Sequence, residues 1–201
     1  MRTRILSSLL LAVLLAACGD QVAAPATPLI FKSTDISGVA WGKDFHMSDD
    51  RGVARDLASF KGQVVMLYFG YTNCPDMCPT TLAQMAQARS KLGADGKRVQ
   101  GLFVTVDPER DTREVLSKYV KAFDPTFLGL RGDAATTEAL AKEFKVFFKA
   151  NKPDMADHYM VDHMGGVYVF DPAGNLRLFM SAETGIDAMA GDIATLLKEH
   201  V

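Results

Sequence analysis

Cysteine is scarce in this chain. Its 201 residues include three, Cys18, Cys74 and Cys78. Three thiols cannot make a disulfide framework, and they cannot supply a four-thiolate zinc site within one chain. An excess of basic residues is also missing. The 22 Lys and Arg are set against 24 Asp and Glu, for a formal net charge of −2. That balance lacks the positive footprint of a nucleic-acid binder, so no nucleic-acid partner is expected. A long apolar run is lacking as well. The N-terminal stretch Ile5–Leu15 falls well short of the about 20 residues that span a bilayer. What is present is a hydrophobic content of 48%, too high for general disorder and sufficient for one core of ordinary domain size.

The first thiol reads as part of an address. Arg2 and Arg4 precede the apolar stretch, and Ala16 and Ala17 stand just before Cys18. A positive start, a short apolar run and small residues are the pattern of an export signal, here residues 1–17. Leu15-Ala16-Ala17-Cys18 resembles a bacterial lipobox, in which the cysteine is acylated. Lipidation at Cys18 implies an exported bacterial lipoprotein, membrane-anchored and facing the periplasm. Anchoring of that kind takes more than one acyl chain, since a single chain holds only marginally. The competing reading is an ordinary signal peptide with an incidental cysteine. Residues 18–34 are rich in Ala, Pro and Thr without helical or strand period, and read as a lipidated tether to a domain over 35–201. Export places the other two thiols where disulfides can persist.

The domain alternates strands and helices. Gln63–Gly70 and Val99–Val106 are continuous apolar runs, the pattern of strands buried on both faces. Apolar residues at helical spacing predict helices over Thr80–Leu92, Thr112–Phe123, Asp133–Phe144 and Ile186–His200. Gly166–Phe170 and Asn175–Met180 flank the turn Asp171-Pro172-Ala173-Gly174 and predict a hairpin. A second, N-terminal hairpin is expected within Phe45–Phe60, turning at 48–52 and laid on the sheet. Lys142–Asn151 reads as a helix end followed by an edge strand, with Phe147 facing the sheet. The fold class is α/β, with helices around one central sheet.

The chemistry centres on Cys74 and Cys78, in the segment Gly70–Thr80 between a buried strand and a helix. Sites in open α/β sheets gather beyond the carboxyl ends of strands. Pro79 suits a first helical turn. Cys78 then lies at or near the N-cap, where the helix dipole is expected to lower its pKa. At this spacing the two α-carbons can approach to about 5.5–6 Å, the disulfide distance, or both sulfurs can bind one ion. A purely structural disulfide or buried thiols are the bland alternatives.

Two thiols make an incomplete metal site. Of the four histidines, His200 reads as a solvated terminus and His46 lies in an uncertain N-terminal strand. His158 and His163 remain, five residues apart, with His163 expected in a loop before Gly165-Gly166. Spacing alone does not choose between them. Met77, Met155, Met160 and Met164 lie near these residues in sequence; thioethers bind soft metal ions, although such methionines are more often packing. Asp107-Pro108-Glu109-Arg110-Asp111 reads as a turn and helix cap, with a partner-facing loop as the alternative.

FGYTNCPDMCPTTL at 69–82, FVTVDPERDT at 103–112 and YMVDHMGGVYVFDPAGNLRLF at 159–179 resemble the Sco/SenC family. The resemblance covers about residues 35–200 in the expected order. It implies a thioredoxin-like fold, a central mixed sheet flanked by helices, and copper held by Cys74, Cys78 and His163, thus selecting His163 over His158. Asp162 would either orient His163 or cap the loop beside it. The implied role is a copper metallochaperone for the dinuclear copper centre of respiratory cytochrome c oxidase. Its partner would be the copper-containing subunit of that oxidase, with other copper chaperones or thiol reductants beside it. Two soft thiolates and an imidazole suit Cu(I) and can also hold Cu(II), and three ligands are too few for structural zinc. The alternatives are a thiol–disulfide oxidoreductase using Cys74 and Cys78, with Cys74 the more exposed, and a redox or copper sensor. The chain departs from thioredoxins in its CxxxC spacing and in lacking a clear counterpart of their proline loop.

Overall fold

The computed structural model describes residues 29–151 and 159–199. The first strand, β1 (Thr34–Asp35), straddles the expected boundary between tether and domain. A hairpin follows, β2 (Met47–Asp49) and β3 (Ala54–Arg55), and then a 3₁₀ turn over Leu57–Phe60. The centre of the molecule is β4 (Val64–Gly70), which runs into helix α1 (Met77–Lys91). A further 3₁₀ turn leads to β5 (Val99–Thr105), α2 (Arg113–Lys121), β6 (Leu128–Arg131) and α3 (Ala134–Glu143). Last come β7 (Phe148–Asn151), β8 (Met160–His163), β9 (Val167–Phe170), β10 (Leu176–Met180) and α4 (Ile186–Lys198).

Eight strands form one mixed sheet in the order β1-β10-β9-β4-β5-β6-β2-β3. β4, β5 and β6 are parallel to one another, and every other pairing in the sheet is antiparallel. β4 needs to be apolar throughout because both of its faces are covered. Val64, Met66 and Tyr68 point to the face packed by α1, α2 and α4, and Val65, Leu67 and Phe69 to the face carrying α3. Each such side chain contributes about 1.5–3 kcal/mol by leaving water. α1 turns Cys78, Leu82, Met85 and Ala88 onto the first face. Thr112 and Asp133 cap α2 and α3 by accepting from the backbone N–H groups of Val115 and Thr136. This is the central mixed sheet with flanking helices that the sequence led us to expect.

The differences are local. The N-terminal hairpin extends the sheet edge, because β2 pairs with β6; it does not lie across the sheet. β6 has no counterpart among the predicted elements, since a four-residue strand with a central glycine offers little period. α1 begins at Met77 instead of Thr80, which puts Pro79 in its first turn, where a missing N–H is tolerated. β7 is not an edge of the main sheet. It pairs with β8 in a separate two-stranded ribbon, Phe148 opposite His163. In that ribbon Phe148 packs on the core and Phe147 is 60% exposed, the reverse of the expected facing.

Candidate metal centre

The carboxyl end of β4 delivers the chain into the loop 71–76 and then α1, and this places both thiols. The Cys74 N–H donates to the Tyr71 carbonyl in a turn, leaving Cys74 half-buried between the two cores. Cys78 is the second residue of α1 and faces inward, with no exposed surface. A close approach at Gly70 makes this possible. A Cβ at Gly70 would lie 2.8 Å from the Cys78 Sγ and 2.7 Å from the Phe103 ring.

His163 arrives from the other direction, at the end of β8 instead of in the expected loop. Its Nε2 stands 3.4 Å from the Cys78 Sγ. Its Nδ1 lies 3.1 Å from the Met164 carbonyl oxygen, an acceptor only, so Nδ1 carries the proton and the Nε2 lone pair faces the thiol. Tyr71 and Tyr68 flank the imidazole edge-on. Ligand atoms of Cys74, Cys78 and His163 all lie within 4.8 Å of one another. An ion with bonds of about 2.0–2.3 Å holds its ligand atoms about 3.5–4.5 Å apart, so the donor set fits a single soft ion with little movement.

Burial sets the charge states. The Cys78 thiol is pushed up to about 12, chiefly by desolvation, against the opposing hydrogen bonds from the Tyr71 backbone and the Tyr68 hydroxyl. This corrects the expectation that the helix N-terminus would lower it. A helix dipole is worth at most about 2 kcal/mol, whereas full burial shifts a pKa by up to about 3–5 units. Burial also pulls the His163 pKa below its ordinary value, with the Met164 carbonyl and then Asp162 pulling weakly the other way. The imidazole is therefore neutral and available as a ligand near pH 7.

Asp162 does not orient His163. Its carboxylate accepts from the Asn151 side chain across the ribbon at 2.7 Å, and the Met164 carbonyl holds the imidazole. Exposed His46 lies beside Asp44 and takes no part in the cluster. Cys18, Met155, His158 and His200 lie outside the described residues. No helix among the described residues is long and apolar enough to cross a membrane.

Residues 107–111 do more than the expected turn and cap. Asp111 is buried and accepts from the Thr72 N–H and hydroxyl at 3.1 and 2.6 Å, and from the Thr105 hydroxyl at 2.6 Å. It therefore pins the loop that carries Cys74. Arg110 stacks on the Tyr159 ring at 3.5 Å, donates to the Tyr159 carbonyl at 2.9 Å and pairs with Asp107, which also accepts from the Tyr159 hydroxyl. Tyr159 directly precedes β8. One loop thus braces the thiol segment and the histidine ribbon together. Three carboxylates and an arginine within five residues, after a buried strand, were the available signal in sequence.

Residues 34–198 match the family model SCO1/SenC. The chain is 41% identical over 133 residues to the human mitochondrial protein SCO2 homolog, covering 65% of this chain and 50% of that protein. It spans about half the length of the first curated relatives it matches. Among solved structures, the Bradyrhizobium japonicum ScoI with copper bound superposes with a TM-score of 0.71 at 32% identity, covering 78% of this chain and 99% of that one. A structure of BsSco, described as a member of the Sco family of cytochrome c oxidase assembly proteins with a disulfide switch, gives a TM-score of 0.64 at 26% identity, covering 83% and 98%.

Proposed function

The chain belongs to the SCO1/SenC family, and from that premise we propose that it is a copper metallochaperone serving the dinuclear copper centre of cytochrome c oxidase. The observation that carries the reading is the convergence of Cys74 and Cys78, from the loop and helix after β4, with His163, from β8, onto one point. Copper-bound ScoI, which aligns along nearly its whole length, supports copper as the cargo. Copper arriving here displaces the protons of both thiols, which pass to solvent, and takes two thiolates and the Nε2 of His163. Delivery is ligand exchange: a recipient thiolate binds as each cysteine leaves, and each leaving thiolate recovers a proton. Three ligands leave space for that incoming group.

The likeness to BsSco supports oxidase assembly as the setting, and the recipient in this proposal is the copper-containing oxidase subunit. Cys18 as lipid anchor, residues 18–34 as tether and a periplasmic site complete the proposal. A second reading rests on the thiols being free and neighbouring. Cys74 and Cys78 would pass two electrons and two protons to a recipient disulfide, becoming a disulfide as the recipient becomes a dithiol. Cys74, the more accessible sulfur, would attack.

The test is incubation of the copper-loaded, reduced chain with the copper-free oxidase subunit, followed by the absorption spectrum of the dinuclear centre. Its appearance with wild type and its absence with His163→Ala support copper delivery. Copper delivery is contradicted if His163→Ala works as well as wild type. A Cys78→Ser variant trapped as a mixed disulfide with the subunit favours electron delivery.

A further inference from the structure

The methionines of this chain divide by position. Among the described residues, Met47, Met66, Met85, Met180 and Met189 are all in the core, none more than 5% exposed. The other three are Met77, Met160 and Met164, at 40%, 48% and 49% exposed. All three border the metal centre. Met77 directly precedes Cys78 and Met164 directly follows His163. A Cβ built on Gly165 would lie 3.3 Å from both the Sδ and the Cε of Met77, so the Met77 thioether rests against the turn that carries Met164. Met160 accepts from the hydroxyl of Tyr71, whose ring flanks His163.

We propose that the thioethers of Met77 and Met164 form an outer holding point for Cu(I) at the mouth of the Cys74–Cys78–His163 centre. This rests on the reading of the chain as a copper carrier. The inner ligands make poor first contacts. Cys78 has no exposed surface, and Cys74 and His163 are half-buried. A thioether needs no deprotonation, binds Cu(I) as a soft ligand and releases it readily because it is neutral and weak. Copper received at Met77 and Met164 is then one ligand exchange away from Cys74. No electron moves in this step: Cu(I) remains Cu(I), a thioether–copper bond breaks and a thiolate–copper bond forms, and the thiol proton passes to solvent. Neither side chain belongs to either core cluster.

Leucine variants separate sulfur from hydrophobic bulk. The full-length reduced chain is mixed anaerobically with Cu(I)–bicinchoninate, and loading is followed by loss of the probe's colour. Met77→Leu/Met164→Leu is expected to load about tenfold more slowly than wild type. Its final affinity should stay within about twofold, because the inner ligands are intact. Loading at the wild-type rate overturns the proposal, and so does a fall in affinity as large as the fall in rate, which would make the thioethers resident ligands. A second readout does not depend on loading. In a Cys74→Ser/Cys78→Ser chain, Ag(I) should shift the methyl NMR signals of Met77 and Met164 and leave those of Met66 and Met85 in place. Unmoved Met77 and Met164 signals also overturn it. Failure of the carrier reading looks different: wild type itself then takes no stoichiometric Cu(I).

Discussion

Gly70→Ala probes how tightly the metal centre is cast into the core. A methyl at Gly70 meets the Phe103 ring at 2.7 Å and the Cys78 Sγ at 2.8 Å. Ordinary contacts between such atoms are about 3.5–4.0 Å, so each neighbour must retreat by about 0.8 Å. Neither has anywhere to go. Phe103 is fully buried between Tyr68 and Tyr119, and Cys78 is fixed to the first turn of α1. Overpacking of this kind costs about 1–3 kcal/mol, and for a chain of this length each kcal/mol lowers the Tm by about 2–4 °C. The displaced sulfur is also a ligand atom, 3.4 Å from the His163 Nε2. Cu(I) affinity is therefore expected to fall about tenfold, equivalent to about 1.4 kcal/mol of lost ligand geometry. Thermal unfolding of the apo chain and competition for Cu(I) measure the two effects. Gly191→Ala is the control: it sits on α4 with open space around the added methyl, so it should be neutral or gain up to about 1 kcal/mol of helix propensity. A Gly70→Ala chain with wild-type Tm and wild-type affinity would refute the argument that β4 packing holds the Cys78 sulfur in place.

Three further outcomes follow from the same geometry. Arg110→Ala removes the ring stack, the carbonyl hydrogen bond and the partner of buried Asp107; it should destabilise the chain by about 3 kcal/mol in urea unfolding and weaken copper binding, and Arg110→Lys should not restore either, because an ammonium cannot stack as a planar guanidinium does. Cys78 titrates at about 12 in the fold against an ordinary 9.0, so the folded state holds its proton more tightly; the resulting stability is complete below pH 9 and lost as pH rises from 9 towards 12, and Cys78→Ala should flatten that slope in unfolding measurements. Asp162→Asn should leave Cu(I) affinity within about twofold, since its carboxylate bonds to Asn151; a loss beyond about tenfold would return to Asp162 the orienting role that the Met164 carbonyl holds here.

The sheet centre was legible because burial on both faces writes a continuous apolar run. Val64–Gly70 and Val99–Thr105 could hardly be other than interior strands. The thiol pair was legible from its place between such a strand and a helix. The histidine was not: its spacing left His158 and His163 equal, and the resemblance to a family separated them. The reason is that β8 contributes only four residues, paired to a ribbon whose partner strand is equally short. The charge state of Cys78 was misjudged because sequence places a residue at a helix start without saying which way it points. Residues 107–111 were underrated for a related reason. The carboxylates of Asp107 and Asp111 look like solvated loop groups until the fold buries them against Tyr159 and Thr72.

The central claim is that one copper ion is held by two sulfurs and one imidazole nitrogen. X-ray absorption of the reduced full-length chain loaded with one equivalent of Cu(I) tests it directly. The account predicts a shell of two sulfur ligands with one nitrogen ligand carrying the outer-ring scattering of imidazole, the nitrogen disappearing in His163→Ala. A wild-type spectrum with no imidazole contribution, or one unchanged in His163→Ala, would contradict it.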